Sequence, residues 1–100
     1  MAKILPIERE GKRVGWCFKC PACGNAHKFC TADAHDEGWP VWTLTGTQDN
    51  PTVRDSILVT VGHGDNPPDV CHSFVTNGQI AYAGDSTHAL RNQTVDLPDF

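Results

Sequence analysis

Five cysteines (17, 20, 23, 30 and 71) and five histidines (27, 35, 63, 72 and 88) are the residues of this chain best suited to chemistry. An odd thiol count disfavours a disulfide framework and favours metal or thiol chemistry. The clearest signal is Cys20-Pro21-Ala22-Cys23-Gly24. Two thiolates separated by two residues reach one tetrahedral ion when the loop between them turns tightly. Pro21 presets φ for that turn, and Gly24 accepts positive φ, which lets backbone N–H groups face the sulfurs. The pattern is that of a zinc knuckle, with Zn2+ the expected cofactor. A thioredoxin-type redox pair would open a helix after a βαβ-type strand, whereas the flanks 16–19 and 27–29 read as a hairpin. Cys17 stands in a strand-like segment without the knuckle's Pro and Gly and reads as a buried thiol. Cys30 completes Cys-x2-Cys-x3-His-x2-Cys, whose last two spacings are too short for a retroviral-type knuckle.

No second Cys-x-x-Cys closes the site. Cys71-His72 and, later, His88 are the remaining donors beside His27. Structural zinc takes four protein ligands and catalytic zinc three plus water. The set therefore permits one four-ligand site, or a structural and a catalytic site side by side.

These residues must be positioned by strands. Residues 3–7 and 13–19 read as strands around a polar turn, and 31–38 as a polar loop with a solvated His35. The stretch 39–45 is strand-like with Trp42 and Leu44 on one face, and 57–61 is a strand with Ile57, Val59 and Val61 facing one way. His63, between two glycines, reads as a loop residue without chemistry. Asn77-Gly78 between two apolar runs is a strong hairpin signal, pairing Thr76 with Gln79 and His72 with Ala83. Ser86 is placed to cap a short helix over 87–92 with His88 on its first turn. The turn would thus gather Cys71, His72, Asp85, Ser86 and His88.

Of the 100 residues, 39% are hydrophobic and 20% charged, with nine Gly and seven Pro, which implies one loop-rich globular domain over 1–100. The expected fold is mainly β (a β-rich α+β arrangement): a small antiparallel sheet with a zinc knuckle and a short C-terminal helix. A net charge of −4 argues against nucleic acid as a partner, despite the aromatic-basic strip Phe18, Lys19, Lys28 and Phe29. The start has no apolar signal region, and the longest apolar stretch, around 57–61, is too short for a bilayer. Neither a membrane partner nor export is expected.

The chain also carries a recognisable run: Cys-Pro-x-Cys-Gly-x-x-His, then Asn50-Pro51-Thr52 with Ser56-Ile57-Leu58, then Cys71-His72-Ser73-Phe74, then Thr87-His88-Ala89-Leu90 with Gln93-Thr94-Val95-Asp96-Leu97-Pro98. It resembles a family of small bacterial and prophage proteins often given the label "ammonia monooxygenase". That label suits a membrane metalloenzyme rather than this chain. Members are also encoded beside bacterial ubiquitin-like conjugation genes, where they look like zinc-dependent peptidases acting on the ubiquitin-like protein. The resemblance implies a bacterial host, in whose cytoplasm a chain without a signal region is expected by default, and a set of matched polar residues: Cys20, Cys23, His27, Cys71, His72, Asp85 and His88. Cys17, Cys30, His35 and His63 lie outside the pattern.

Two functions follow as expectations. In the first, the chain is a zinc hydrolase, a peptidase or isopeptidase acting on a ubiquitin-like or other small protein. Metal-bound water is its nucleophile, Asp85 its base, and His72 and His88 candidate ligands with His27 or a cysteine. Cys20, Cys23 and Cys71 would then form most of a structural site. No His-Glu-x-x-His helix announces a peptidase. In the second, every ligand serves one structural ion, and the chain is a non-catalytic module that binds a host protein through Trp16, Trp39 and Trp42.

Overall fold

A computed structural model describes residues 2–100, apart from the side chain of His63. Its first unit is an antiparallel sheet in the order β1-β2-β3, formed by β1 (Leu5–Arg9), β2 (Lys12–Lys19) and β3 (Ala26–Phe29). The 16–19/27–29 hairpin is present, with Trp16 opposite Phe29 and Phe18 opposite His27. The knuckle is the connection between these strands. Cys20 N–H donates to Asn25 O at 2.9 Å, and Gly24, at φ 73°, sends its N–H to Cys20 O at 3.0 Å.

The second sheet runs β4-β5-β6-β7-β8, all antiparallel neighbours. It comprises β4 (Thr43–Gly46), β5 (Pro51–His63), β6 (Asn66–Thr76), β7 (Gln79–Tyr82) and β8 (Thr94–Asp96). The Asn77-Gly78 turn has φ of 49° and 77° at its two residues, the conformation that feeds a tight hairpin without splaying its strands. Thr76 pairs with Gln79 as expected, and Ala83 N–H donates to His72 O at 2.8 Å. β5 is much longer than the expected 57–61, and His63 ends it opposite Asn66 instead of lying in a loop. The side chain of His63 lies outside the described residues.

One apolar cluster joins the sheets: Ile4, Trp16, Phe18 and Phe29 meet Val53, Ile57, Val75, Ile80, Tyr82 and Leu97. Along β6 the alternation of a half-buried sheet is visible, with Cys71, Ser73 and Val75 facing this core and His72 and Phe74 facing away. Mainly β is therefore correct, but the C-terminal helix is not formed among the described residues. Residues 88–92 make only successive tight turns, Arg91 N–H to His88 O and Gln93 N–H to Leu90 O. Asn92 then takes φ of 65° and its N–H goes to Tyr82 O. Ser86 caps nothing, because its hydroxyl is engaged with the backbone of His72. No helix among the described residues is long and apolar enough to cross a membrane.

Candidate functional site

Cys20, Cys23, His27 and Cys71 come together at the seam of the two sheets, their ligand atoms all within 4.8 Å of one another. Three of them belong to the knuckle and the start of β3; the fourth is brought in by β6. The sulfurs of Cys20 and Cys71 are 3.8 Å apart. That spacing fits a tetrahedral ion, since zinc–sulfur bonds of about 2.3 Å put two sulfurs about 3.8 Å apart. His27 Nε2 is buried without a hydrogen-bond partner among the described residues, as a nitrogen reserved for a metal would be. The cluster could hold a metal ion, and its Cys3His composition suits a closed structural site.

The electrostatics agree with a place waiting for positive charge. The contact with Cys71 holds the Cys20 thiol far below its ordinary range, to about 3, and outweighs burial. The same contact, followed by burial, pushes Cys71 far up. Burial, then the Cys20 contact, pushes up the Tyr82 hydroxyl, which lies 3.1 Å from Cys20 Sγ. A negative sulfur thus raises the cost of ionising the next one, a cost that a divalent cation bound between them would remove.

The other expected donors stand elsewhere. His72 faces the opposite side of β6 from Cys71, because successive side chains of a strand alternate. Asp85 lies 3.0 and 3.1 Å from His72 Nδ1 through its two carboxylate oxygens, and Ser56 Oγ lies 2.8 Å from His72 Nε2. Both ring nitrogens are engaged, and His72 is not one of the four clustered donors. His88 is not one of the four clustered donors either. Its Nδ1 accepts the Leu90 N–H at 3.2 Å, and its ring stands edge-on to Tyr82 at 4.5 Å. It lines a cleft of about 360 Å³ with Cys23, His27 and Cys71, on the core side of the sheet. His88 is thus apart from Asp85 and His72, with which it was grouped. His35 is exposed, as expected, while Cys17 is only half-buried.

Each member of the Ser56–His72–Asp85 chain is held by its backbone. From Val53 to Ile57 β5 advances four residues while β6 goes only from Val75 to Ser73, an irregularity of the kind that re-aims a side chain. The indole N–H of Trp42 donates to Ser56 O at 3.0 Å. Ser86, 3% exposed, accepts the His72 N–H at 3.0 Å and donates to His72 O at 3.2 Å. Thr87 N–H donates to Val70 O at 2.9 Å, so 83–87 continue alongside β6 and carry Asp85 to the imidazole. A carboxylate can only accept, so Nδ1 carries the ring proton and Nε2 is left to accept the Ser56 hydroxyl proton. This is the geometry of a serine nucleophile, a histidine base and an orienting aspartate, recognised by its contacts and not by sequence order.

Ser56 has no role in the residue spacing read from sequence. Its signals are its place in the Ser56-Ile57-Leu58 segment of the recognisable run and the alternation of β5, in which a buried Ile57 turns Ser56 outward.

No curated protein and no solved structure matches the chain. A family model, BubE, described as a bacterial ubiquitination-like system serine protease, matches residues 1–83. The matched span includes Ser56, His72 and the four clustered donors, and ends two residues before Asp85. The expectation of a zinc hydrolase with a metal-bound nucleophile is thereby corrected, as is that of a non-catalytic module: the family is one of serine proteases. The link to bacterial ubiquitin-like systems holds, and the chain belongs to the BubE family of bacterial ubiquitination-like system serine proteases.

Proposed function

We propose that this chain is a serine protease that cleaves a protein substrate of a bacterial ubiquitin-like conjugation system, with Ser56, His72 and Asp85 as its catalytic residues. The observation that carries the reading is the double engagement of His72, with Ser56 at 2.8 Å on Nε2 and Asp85 at 3.0 Å on Nδ1. Ser56 Oγ attacks the scissile carbonyl carbon while Nε2 takes the hydroxyl proton. Collapse of the tetrahedral adduct breaks the C–N bond, and the imidazolium returns that proton to the leaving amine. Water then attacks the acyl ester, giving its proton to Nε2, and Ser56 Oγ leaves and recovers it. Asp85 holds the tautomer and orientation of the ring throughout.

Cys20, Cys23, His27 and Cys71 hold a structural zinc ion in this reading. When bound, the ion supplies a cross-link between the knuckle and β6 and has no part in the bond-breaking steps. The partner is a protein, and a nucleic-acid role finds no support in a chain of net charge −4.

The test is covalent labelling with a small fluorophosphonate, read by intact mass and peptide mapping. One adduct on Ser56 in the wild type, absent in Ser56→Ala and strongly reduced in His72→Ala, is expected. A folded wild-type chain that takes up no label overturns the reading.

A further inference from the structure

The outer face of β5 and β6 carries large apolar groups beside Ser56 and His72. Leu58 is 58% exposed and sits directly opposite His72. Phe74 is 42% exposed, and its ring lies 5.7 Å from the His72 imidazole at an interplanar angle of 33°. Leu58 shares the Ser56 side of β5, and Phe74 the His72 side of β6, because residues two apart face the same way. Across β7, Phe74 meets only Ala81, which leaves its ring uncovered.

The same strand has an open edge. β4 pairs with β5 only as far as Thr43 opposite Arg54, and among the described residues no strand continues that pairing toward His63. The Trp42 backbone has already turned away, its N–H donating to Cys30 O at 2.7 Å. Ser56 O, accepting the Trp42 indole, faces this edge. By strand alternation, the N–H and C=O groups of Leu58 and Thr60 face it as well.

We infer that this edge is the substrate channel: an extended peptide pairs with β5 beyond Ser56 and lays an apolar side chain against Leu58 and Phe74. The inference rests on the Ser56–His72–Asp85 reading. The occupant is fixed by that chemistry, since any substrate must bring its carbonyl carbon to Ser56 Oγ, where β5 offers unpaired backbone groups. The paired residues are those preceding the scissile bond. They remain joined to Ser56 as the acyl ester, whereas the leaving amine departs. Main-chain pairing supplies affinity, and the apolar platform supplies selectivity.

The experiment uses the full chain and peptidyl phosphonate esters, whose phosphorus is attacked by the serine with loss of phenoxide. Each ester varies one residue preceding the reactive group. The wild type should label at least about tenfold faster with an apolar than with an acidic residue at one of the two positions nearest the phosphorus. In Leu58→Lys that ratio should fall to near one or invert, and in Phe74→Ala it should fall. N-methylation of the peptide amides should slow labelling about fivefold at alternate positions only, the mark of strand pairing. Labelling by the small fluorophosphonate, which has no peptide part, reads the triad separately. If that probe labels Ser56 while peptidyl esters show neither an apolar preference nor a two-residue period, the channel is overturned and the triad stands. If neither probe labels the wild type, both fail.

Discussion

Ser56 Oγ reaches 2.8 Å from His72 Nε2 at the point where β5 runs through four residues against two of β6. A regular ladder would pair the two strands residue for residue. The irregularity, anchored by the Trp42 indole on Ser56 O at 3.0 Å, sets the angle at which the hydroxyl meets the imidazole. Ser56→Ala should therefore remove turnover by about 10⁴-fold or more while leaving the fold intact. Steady-state rates beside a far-ultraviolet circular dichroism spectrum check it; residual turnover within tenfold of the wild type would count against Ser56.

The Asp85 side chain is 62% exposed, unlike the buried aspartate of the best-known serine proteases. Water can replace part of its hydrogen bond to the ring. Asp85→Asn is expected to lower kcat by about 10²- to 10⁴-fold, with the smaller loss favoured by this exposure. Melting temperature should hardly move, since the group is solvated. A variant with wild-type kcat would remove Asp85 from the triad.

Elemental analysis of natively purified protein should find one zinc per chain. His88→Ala should keep it, whereas Cys20→Ser and Cys71→Ser should lose it together with much of the stability, since structural zinc contributes about 10 kcal/mol or more of apparent binding free energy. Chelation should lower proteolysis through the fold, because Cys71 precedes His72 on β6. Loss of the ion in His88→Ala would place that histidine among the ligands.

Ser86 holds both the N–H and the carbonyl of His72 with a buried hydroxyl. Ser86→Ala leaves those contacts unmade and should cost about 1–3 kcal/mol of stability. As a positioning residue it should reduce kcat more than it raises KM, and Ser86→Thr should recover part of the loss if the methyl is accommodated. Equal kcat in Ser86→Ala and wild type would reduce Ser86 to a purely structural role.

Replacing Ile80, fully buried between the sheets, tests the shared core. Ile80→Ala should cost about 2–5 kcal/mol, read from the denaturant midpoint. A cost below about 1 kcal/mol would mean that the two sheets pack less tightly than the burial indicates.

Much of this was legible in the residues. Asn77-Gly78 fixes a two-residue turn, and counting back from it places His72 against Ala83 and brings Asp85 near. Cys20-Pro21-Ala22-Cys23 carries its own turn geometry, so two donors follow from local spacing, with His27 four residues on as the third. What spacing does not contain is which sheet approaches which. Packing between units far apart in sequence brings Cys71 to the knuckle and leaves His88 outside the four donors, while strand alternation turns the adjacent His72 away. Ser56 stands in the recognisable run as Ser56-Ile57-Leu58, but its role is not legible there, because a lone serine has no ligand or catalytic spacing and its aim depends on an irregular ladder. The supposed helix over 87–92 failed because Ser86, read as a cap, is taken up by the strand beside it.

In a strand, position along the chain counts modulo two. Cys71 turns toward the sulfurs and His72 toward the serine only because Cys71 stands an even number of steps from the buried Val75 and His72 an odd number. One residue added between His72 and Val75, with the hairpin and core kept, would invert this parity. The imidazole would then be offered to the metal donors and the thiol to the serine, and both chemistries would be lost without the loss of any atom that performs them. Two added residues would restore the assignment of faces. Tolerance of this short segment to insertion should therefore alternate with the number of residues inserted and not decline smoothly with it.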